Sequence, residues 1–437
     1  MVTFLPTSPG RLADVSSFAR GIGGAESNVA CVLAAHGHTA RWVGRVGTDA
    51  FGDHLVERIA GYGVDVTHVR RDPDRPTGVY FRTAADRATA AHEVAYYRAG
   101  SAASAMSPDT VDLAAARACR VLHLSGITPA LSAGCRELVR HLLRPAADRP
   151  LISFDVNHRP GLWRSSDGPG ILLDLARAAD IVFVGEDEAE QAWGVTGGPR
   201  AISDALPEPR VVVVKQGAGG ATAFERDEDA GGGGEPGRGV ADAAGGAGVP
   251  ARGADASPYP AVGGLGGVGG SSCRAADGFG GSGGSSYRAA DGLGGSGVSS
   301  CPAADGLAGA AVSSYPVADA PGGAGAPAVP LGRGAAARRA TFQRALVVDV
   351  VATTGAGDAF AAGFLSATLR GLPVRDRLRY GHLMAAAALT TPGDLAVPPA
   401  RDHADRLAAL DDTAWGRLRL GPGWTQADRP PEEANTP

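Results

Sequence analysis

Little in this 437-residue chain is aromatic, sulfur-rich or strongly charged. Phe, Trp and Tyr make up only 5% of it, and five cysteines (Cys31, Cys119, Cys135, Cys273, Cys301) contain no CxxC pair. An odd count without such spacing argues against a disulfide framework or a zinc site and fits reduced thiols in a cytosol. The formal charge of −5 at pH 7 leaves no basic footprint, so nucleic acid is not an expected partner. No run of about 18 apolar residues exists, and the amino end lacks a basic segment followed by an apolar one. The expectation is a soluble, cytoplasmic protein without a membrane partner.

What the chain does have is glycine and proline, 65 and 30 residues of them. That is too much for one uniformly packed protein, and 41 of these 95 residues are concentrated in residues 226–340. There Ser271-Ser272-Cys273, Ser285-Ser286-Tyr287, Ser299-Ser300-Cys301 and Ser313-Ser314-Tyr315 recur at a spacing of 14, each followed four residues later by Asp. So short a repeat with one or two bulky side chains cannot bury a stacking face, so disorder is expected. The chain then divides into a first part (1–225), a low-complexity insertion (226–340), a second part (341–412) and a carboxyl tail (413–437).

Outside the insertion, short β-rich runs alternate with helical spacing. Arg41–Val46, Arg120–Leu124, Leu151–Val156, Asp180–Val184 and Arg210–Lys215 read as buried strands. Helical patterns cover His54–Ala60, Pro108–Ala118, Ala133–Leu143 and Ile171–Ala178. Alternation of this kind predicts an α/β layer fold with a mostly parallel sheet. Gly78–Arg82 and Glu93–Arg98 break the rhythm and read as strands off the main sheet.

Chemistry is carried by Thr353-Thr354-Gly355-Ala356-Gly357-Asp358, which leads into the helical pattern Ala359–Leu369. Such a turn points backbone N–H groups at one spot, and a helix N-terminus adds a positive field there. A phosphoryl group in flight would be stabilised, with Asp358 placed to take a proton from an attacking hydroxyl. A plain Gly-rich loop ahead of an acidic helix start has the same composition.

Residues 23–52, GGAESNVACVLAAHGHTARWVGRVGTDAFG, decide between these. Together with GAGD they resemble the two signatures of the ribokinase-like carbohydrate kinases, the PfkB family, over roughly residues 10–225 and 341–400. The resemblance implies a three-layer fold with a mostly parallel central sheet, a small β-strand lid near residues 18–24 and 78–98, and ATP-dependent phosphorylation of a sugar or sugar-acid hydroxyl. It assigns the proton acceptor to Asp358 and the anion hole to Gly355, Ala356 and Gly357. ATP contacts fall to Lys215, Gly217, Gly220 and Thr354. Glu188, in Gly185-Glu186-Asp187-Glu188, takes the Mg²⁺ and phosphate shell, with Glu186 the lesser candidate; the family's Asn is Gly185 here. Pro392-Gly393-Asp394 resembles the closing segment beside the adenine.

The strings YYRAGSAAS and DVNHRPGLW look like those of the 2-keto-3-deoxygluconate kinases within that family. They imply sugar-acid contacts from Gly24, Asn28, Tyr80, Tyr96, Arg98 and Arg159, arginine forks being suited to a carboxylate. A neutral sugar such as ribose or fructose, and a catalytically weak sugar-binding regulator, stay open as alternatives. Two departures, together with the repeat insertion, motivate the regulator. Ala352 stands where the family has Asp, and the chain begins after the family's first, central strand, so either the start lies upstream or that strand is missing. Lid strands of this family often pair between subunits, which leaves a homodimer or higher homo-oligomer open.

Overall fold

Runs of β-branched residues build the sheet. In β10 (Val211–Lys215) and β9 (Ile181–Gly185), successive side chains leave on opposite faces. Val211, Val213, Ile181 and Phe183 enter one hydrophobic core, whereas Val212, Val214, Val182 and Val184 enter another with Ile152 and Phe154. Both faces are dry, as continuous apolar strands of a parallel sheet require. The computed structural model describes residues 1–83, 93–147, 149–163, 165, 167–226 and 338–426, and the repeat segment lies outside these.

The main sheet has the order β12-β11-β10-β9-β8-β7, with β7 at Val121–Ser125, β8 at Leu151–Asp155, β11 at Ala221–Arg226 and β12 at Arg338–Gln343. Strands β7 to β10 are mutually parallel, while β11 and β12 pair antiparallel. One face carries α1 (Ala25–Ala35), α9 (Ala356–Leu369), α10 (Val374–Leu389) and α11 (Arg401–Ala408). The other carries α3 (Leu113–Arg117), α5 (Ala133–Leu143), α6 (Gly168–Arg177), α7 (Glu186–Trp193) and α8 (Gly198–Ala205). A short α4 (Ile127–Leu131) follows β7. The expected three-layer α/β architecture is what forms.

A second sheet, ordered β2-β1-β5-β6, comprises β1 (Val2–Pro6), β2 (Phe18–Ile22), β5 (Val79–Arg82) and β6 (Val94–Tyr97). This is the expected lid. The first residues of the chain therefore lie in the lid and not in the main sheet. Beneath it, Asp49 caps α2 (Ala50–Ala60) by accepting from Phe51 and Gly52 N–H, and its other oxygen accepts from Thr77 N–H at 2.7 Å.

Three boundaries differ from expectation. Arg41–Val46 is not a strand of the main sheet: only β3 (Arg45–Gly47) forms, paired with β4 (Arg70–Asp72) in a separate ladder. Arg41 contributes only an isolated bridge to Asp65 and a 2.7 Å ion pair with it. The insertion interrupts a hairpin, since Arg226 of β11 pairs with Arg338 of β12. Nor is 413–437 simply a tail. Helix α12 (Asp412–Arg417) buries Trp415 to 1% exposure under the Arg379 guanidinium, and β14 (Arg419–Leu420) pairs with β13 (Val347–Val348).

Candidate active site

Three adjacent parallel strands deliver their carboxyl ends to one place, where open α/β sheets collect ligands. Strand β8 brings Asp155, β9 brings Gly185 and the start of α7, and β10 brings Lys215. Opposite them, α9 begins at the glycine turn. Gly355 holds φ at +80°, and a Cβ there would collide with the Asp394 carbonyl. Only glycine fits both demands. The first N–H groups of α9 have no carbonyl one turn back, leaving them for an anion. Of the three expected anion-hole amides, that of Ala356 leans on the Thr353 carbonyl at 3.4 Å.

Asp358 sits in the first turn of α9, and its Oδ2 accepts from Asn28 Nδ2 of α1 at 2.8 Å. Burial pushes its carboxyl up to about 7; the Asn28 bond and Lys215 pull it down, while Asp155 and Glu26 push it further up. A carboxylate poised there suits a general base at neutral pH.

Lys215 Nζ reaches both oxygens of Asp155, at 3.0 and 3.2 Å, and lies 3.9 Å from Glu188 Oε2. Burial works against its charge, but Asp155 and then Glu188 hold the amine above its ordinary range. A Cβ on Gly357 would stand 3.6 Å from Nζ, so the ammonium overlies the turn. Glu188 also closes the N-terminus of α7, accepting from Gly185 N–H at 2.7 Å, and its Oε1 is 3.6 Å from Arg159. Mg²⁺ takes one or two carboxylates and fills its shell with water and phosphate oxygens. Among the described residues no cluster of three or more acidic, His or Cys side chains encloses a cation. Glu188 is the carboxylate here that could edge such an ion, beside Lys215 and the start of α7. Glu186 instead accepts from Gln216 Nε2 at 3.3 Å.

The nucleotide-side residues separate. Gly217, with φ +54°, has open space where a side chain would be. Gly220 lacks a side chain because a Cβ would strike the Gln343 carbonyl, which explains that glycine without a ligand. Thr354 is half-buried just before the turn.

On the lid, Tyr80 and Tyr96 pack with ring centroids 5.5 Å apart, and the Arg98 guanidinium lies 4.3 Å above the Tyr96 ring. Tyr96 is exposed, whereas Tyr80 is buried with its hydroxyl donating to Asp394. Burial holds the Arg98 guanidinium below its ordinary value, and the nearby charge of Arg159 adds to that. Arg159 follows a turn in which Asn157 adopts φ +39°, an uncommon conformation for a side chain other than glycine. Gly24 precedes α1, where a Cβ would press on Ser27 Oγ at 2.9 Å.

Sequence reasoning missed two groups, Asp155 and Glu26, and did not foresee the partner of a third, Asp394. Asp155 is 1% exposed, and the signal was an acid closing a buried strand beside two others. Asp394 accepts from Arg82 of β5 at 2.8 and 2.7 Å, a pair buried between the lid and the glycine turn. Glu26, whose carboxyl burial raises, accepts from Thr128 Oγ1 at 2.5 Å. Ala352 is buried, and Asp349 cannot replace the missing acid because its carboxylate faces Gly421.

The sequence profile of the pfkB family carbohydrate kinases matches residues 1–245 and 335–401, and the chain belongs to that family. It is 36% identical over 207 residues to the 2-dehydro-3-deoxygluconokinase of Bacillus subtilis (strain 168), covering 47% of this chain and 63% of that protein. Against the enzyme of the same name from Thermoproteus tenax it is 35% identical over 190 residues, covering 43% and 58%. The chain thus spans less than two thirds of the length of these relatives. A sugar kinase from Pyrococcus horikoshii solved in complex with ATP shares the fold, with a TM-score of 0.58 at 18% identity over 92% of this chain and 94% of that one. No helix among the described residues is long and apolar enough to cross a membrane.

Proposed function

We propose that this protein is an ATP-dependent kinase acting on a sugar acid, with 2-keto-3-deoxygluconate converted to its 6-phosphate. The observation that carries the reading is Asp358, held by Asn28 at the mouth of the glycine turn with its carboxyl raised to about 7. Asp358 removes the proton of the terminal hydroxyl as that oxygen bonds to the γ-phosphorus, and the bond to the bridging oxygen breaks to release ADP. The turn amides and Lys215 meet the charge that develops on the transferred group. Mg²⁺, carried with the nucleotide and edged by Glu188, would neutralise phosphate charge when bound.

Two neighbouring cations, Arg98 over the Tyr96 ring and Arg159 after β8, favour an acid over a neutral sugar. Arg98 and Arg159 are close enough for one charge to depress the other, a cost that a bound carboxylate would repay. A coupled ADP-release assay with sugar acids and neutral sugars tests this. Replacing either arginine with Met should lower kcat/KM for the acid by about tenfold or more and leave neutral sugars little changed. Equal losses on both would exclude carboxylate recognition. The buried Ala352 favours the alternative of a weak, sugar-binding regulator. Tight sugar binding with no ADP release from any substrate would establish it.

A further inference from the structure

A lysine on a flexible stem is an odd choice for a rigid charge, and both members of the Asp155–Lys215 pair are withdrawn from water. The Asp155 side chain is 2% exposed and that of Lys215 19%. Desolvating such ions costs several kcal/mol each, so a pair of this kind is weak evidence for stability alone. Its placement is more telling. Asp155 is fixed by its strand: its backbone pairs with Phe183 of β9, and its carbonyl accepts from Gly126 N–H at 2.8 Å. The ammonium carries three donors, of which Asp155 takes at most two. At least one remains, and Nζ already stands over Gly357.

Resting on the kinase reading above, we propose that Asp155 is a positioning residue that holds the Lys215 ammonium over the Gly355–Gly357 turn, aimed at the migrating phosphoryl group. An ammonium fixed before the reaction meets developing charge without reorganising, whereas a free one must be ordered at each turnover. Asp155 also acts on the base. The groups facing Asp358 are Asn28 and Glu26 from α1, Lys215 from β10 and Asp155 from β8. Losing the Asp155 charge, and releasing Lys215 from it, both favour the ionised form of Asp358.

The test is Asp155→Asn in the full chain, assayed by ADP release with 2-keto-3-deoxygluconate and Mg-ATP. The expected result is a fall in kcat of about tenfold or more, with KM for the sugar acid within about threefold. The acid limb of the kcat/KM profile should move to lower pH. Asp155→Glu, which keeps the charge, should return the limb and recover most of kcat. A purely structural pair would lower the folded fraction and leave kcat per folded molecule unchanged. The proposal is overturned if Asp155→Asn keeps kcat within about twofold with an unmoved limb, or if Asp155→Glu is no better than Asp155→Asn. Should neither variant fold, a crystal structure of the parent with an ATP analogue decides. Lys215 still paired with Asp155 upholds the proposal, and separation beyond about 4 Å overturns it. Asp358→Asn serves as control. If the parent itself releases no ADP with any sugar or sugar acid, the kinase reading fails; if the parent is active and Asp358→Asn inactive while Asp155→Asn is unchanged, only the positioning role fails.

Discussion

Replacing Asn28 with Leu should move the pH dependence of the enzyme without dismantling the site. The Asn28 amide is an uncharged donor that draws the Asp358 carboxyl back from the full effect of burial. A hydrogen bond to an ionised group contributes about 1.5–3 kcal/mol net, equivalent to roughly 1–2 pH units. Without it, the acid limb of kcat/KM should rise from near the parent's value of about 7 by that amount. At pH 7 the variant would be slower by about 5- to 50-fold, recovering most of the loss as the medium becomes alkaline. Folding should be little affected, because Leu keeps the branched shape of Asn and the Asn28 Oδ1 is already buried without a partner. The assay is ADP release at subsaturating sugar acid across the pH range. Loss of a sugar contact alone would lower the whole profile without shifting its limb. A limb that stays put or moves to lower pH would refute the assignment of Asn28 as the partner of the base.

Two further outcomes concern stability. Asp394→Ala strands the Arg82 guanidinium, 1% exposed, between the lid and the glycine turn, and should cost about 3–5 kcal/mol by chemical denaturation. The pair Arg82→Met with Asp394→Leu should recover much of that loss; no recovery would mean the ion pair is not the source. Asp358→Asn should stabilise the fold. The folded carboxyl, raised from 3.8 to about 7, holds a proton through a window where the unfolded chain has lost it. Stability therefore falls as pH rises through that window, and the Asn variant escapes the cost. It should exceed the parent by about 1–3 kcal/mol at pH 8, with the gap closing toward pH 4. Equal stability at both ends would show that burial does not raise this carboxyl.

Much of this was legible in the sequence where local pattern and final packing coincide. Ala133–Leu143 forms a helix over the residues its spacing predicts, because apolar Leu138, Val139 and Leu142 share one face and Ser132 caps the start. Val211–Lys215 is a strand because an unbroken β-branched run can only be buried on both faces. The glycine turn and its acid were legible because φ > 0 at Gly355 leaves a mark in the sequence. Elsewhere the deciding contact is far away along the chain. Trp415 looks like part of a tail until Arg379 and the Arg344 carbonyl enclose it. Arg82 finds Asp394 some 312 positions on. Asp155 was passed over because its partner, Lys215, arrives from a strand 60 residues later.

The most direct test of the account is kcat for Asp358→Asn measured with 2-keto-3-deoxygluconate and Mg-ATP, on protein shown to be folded. Loss of the proton acceptor should lower it by about 10²- to 10⁴-fold at pH 7.5. Sugar phosphate formed at the parent's rate would contradict the assignment of Asp358 as the base, and with it the chemistry proposed for this site.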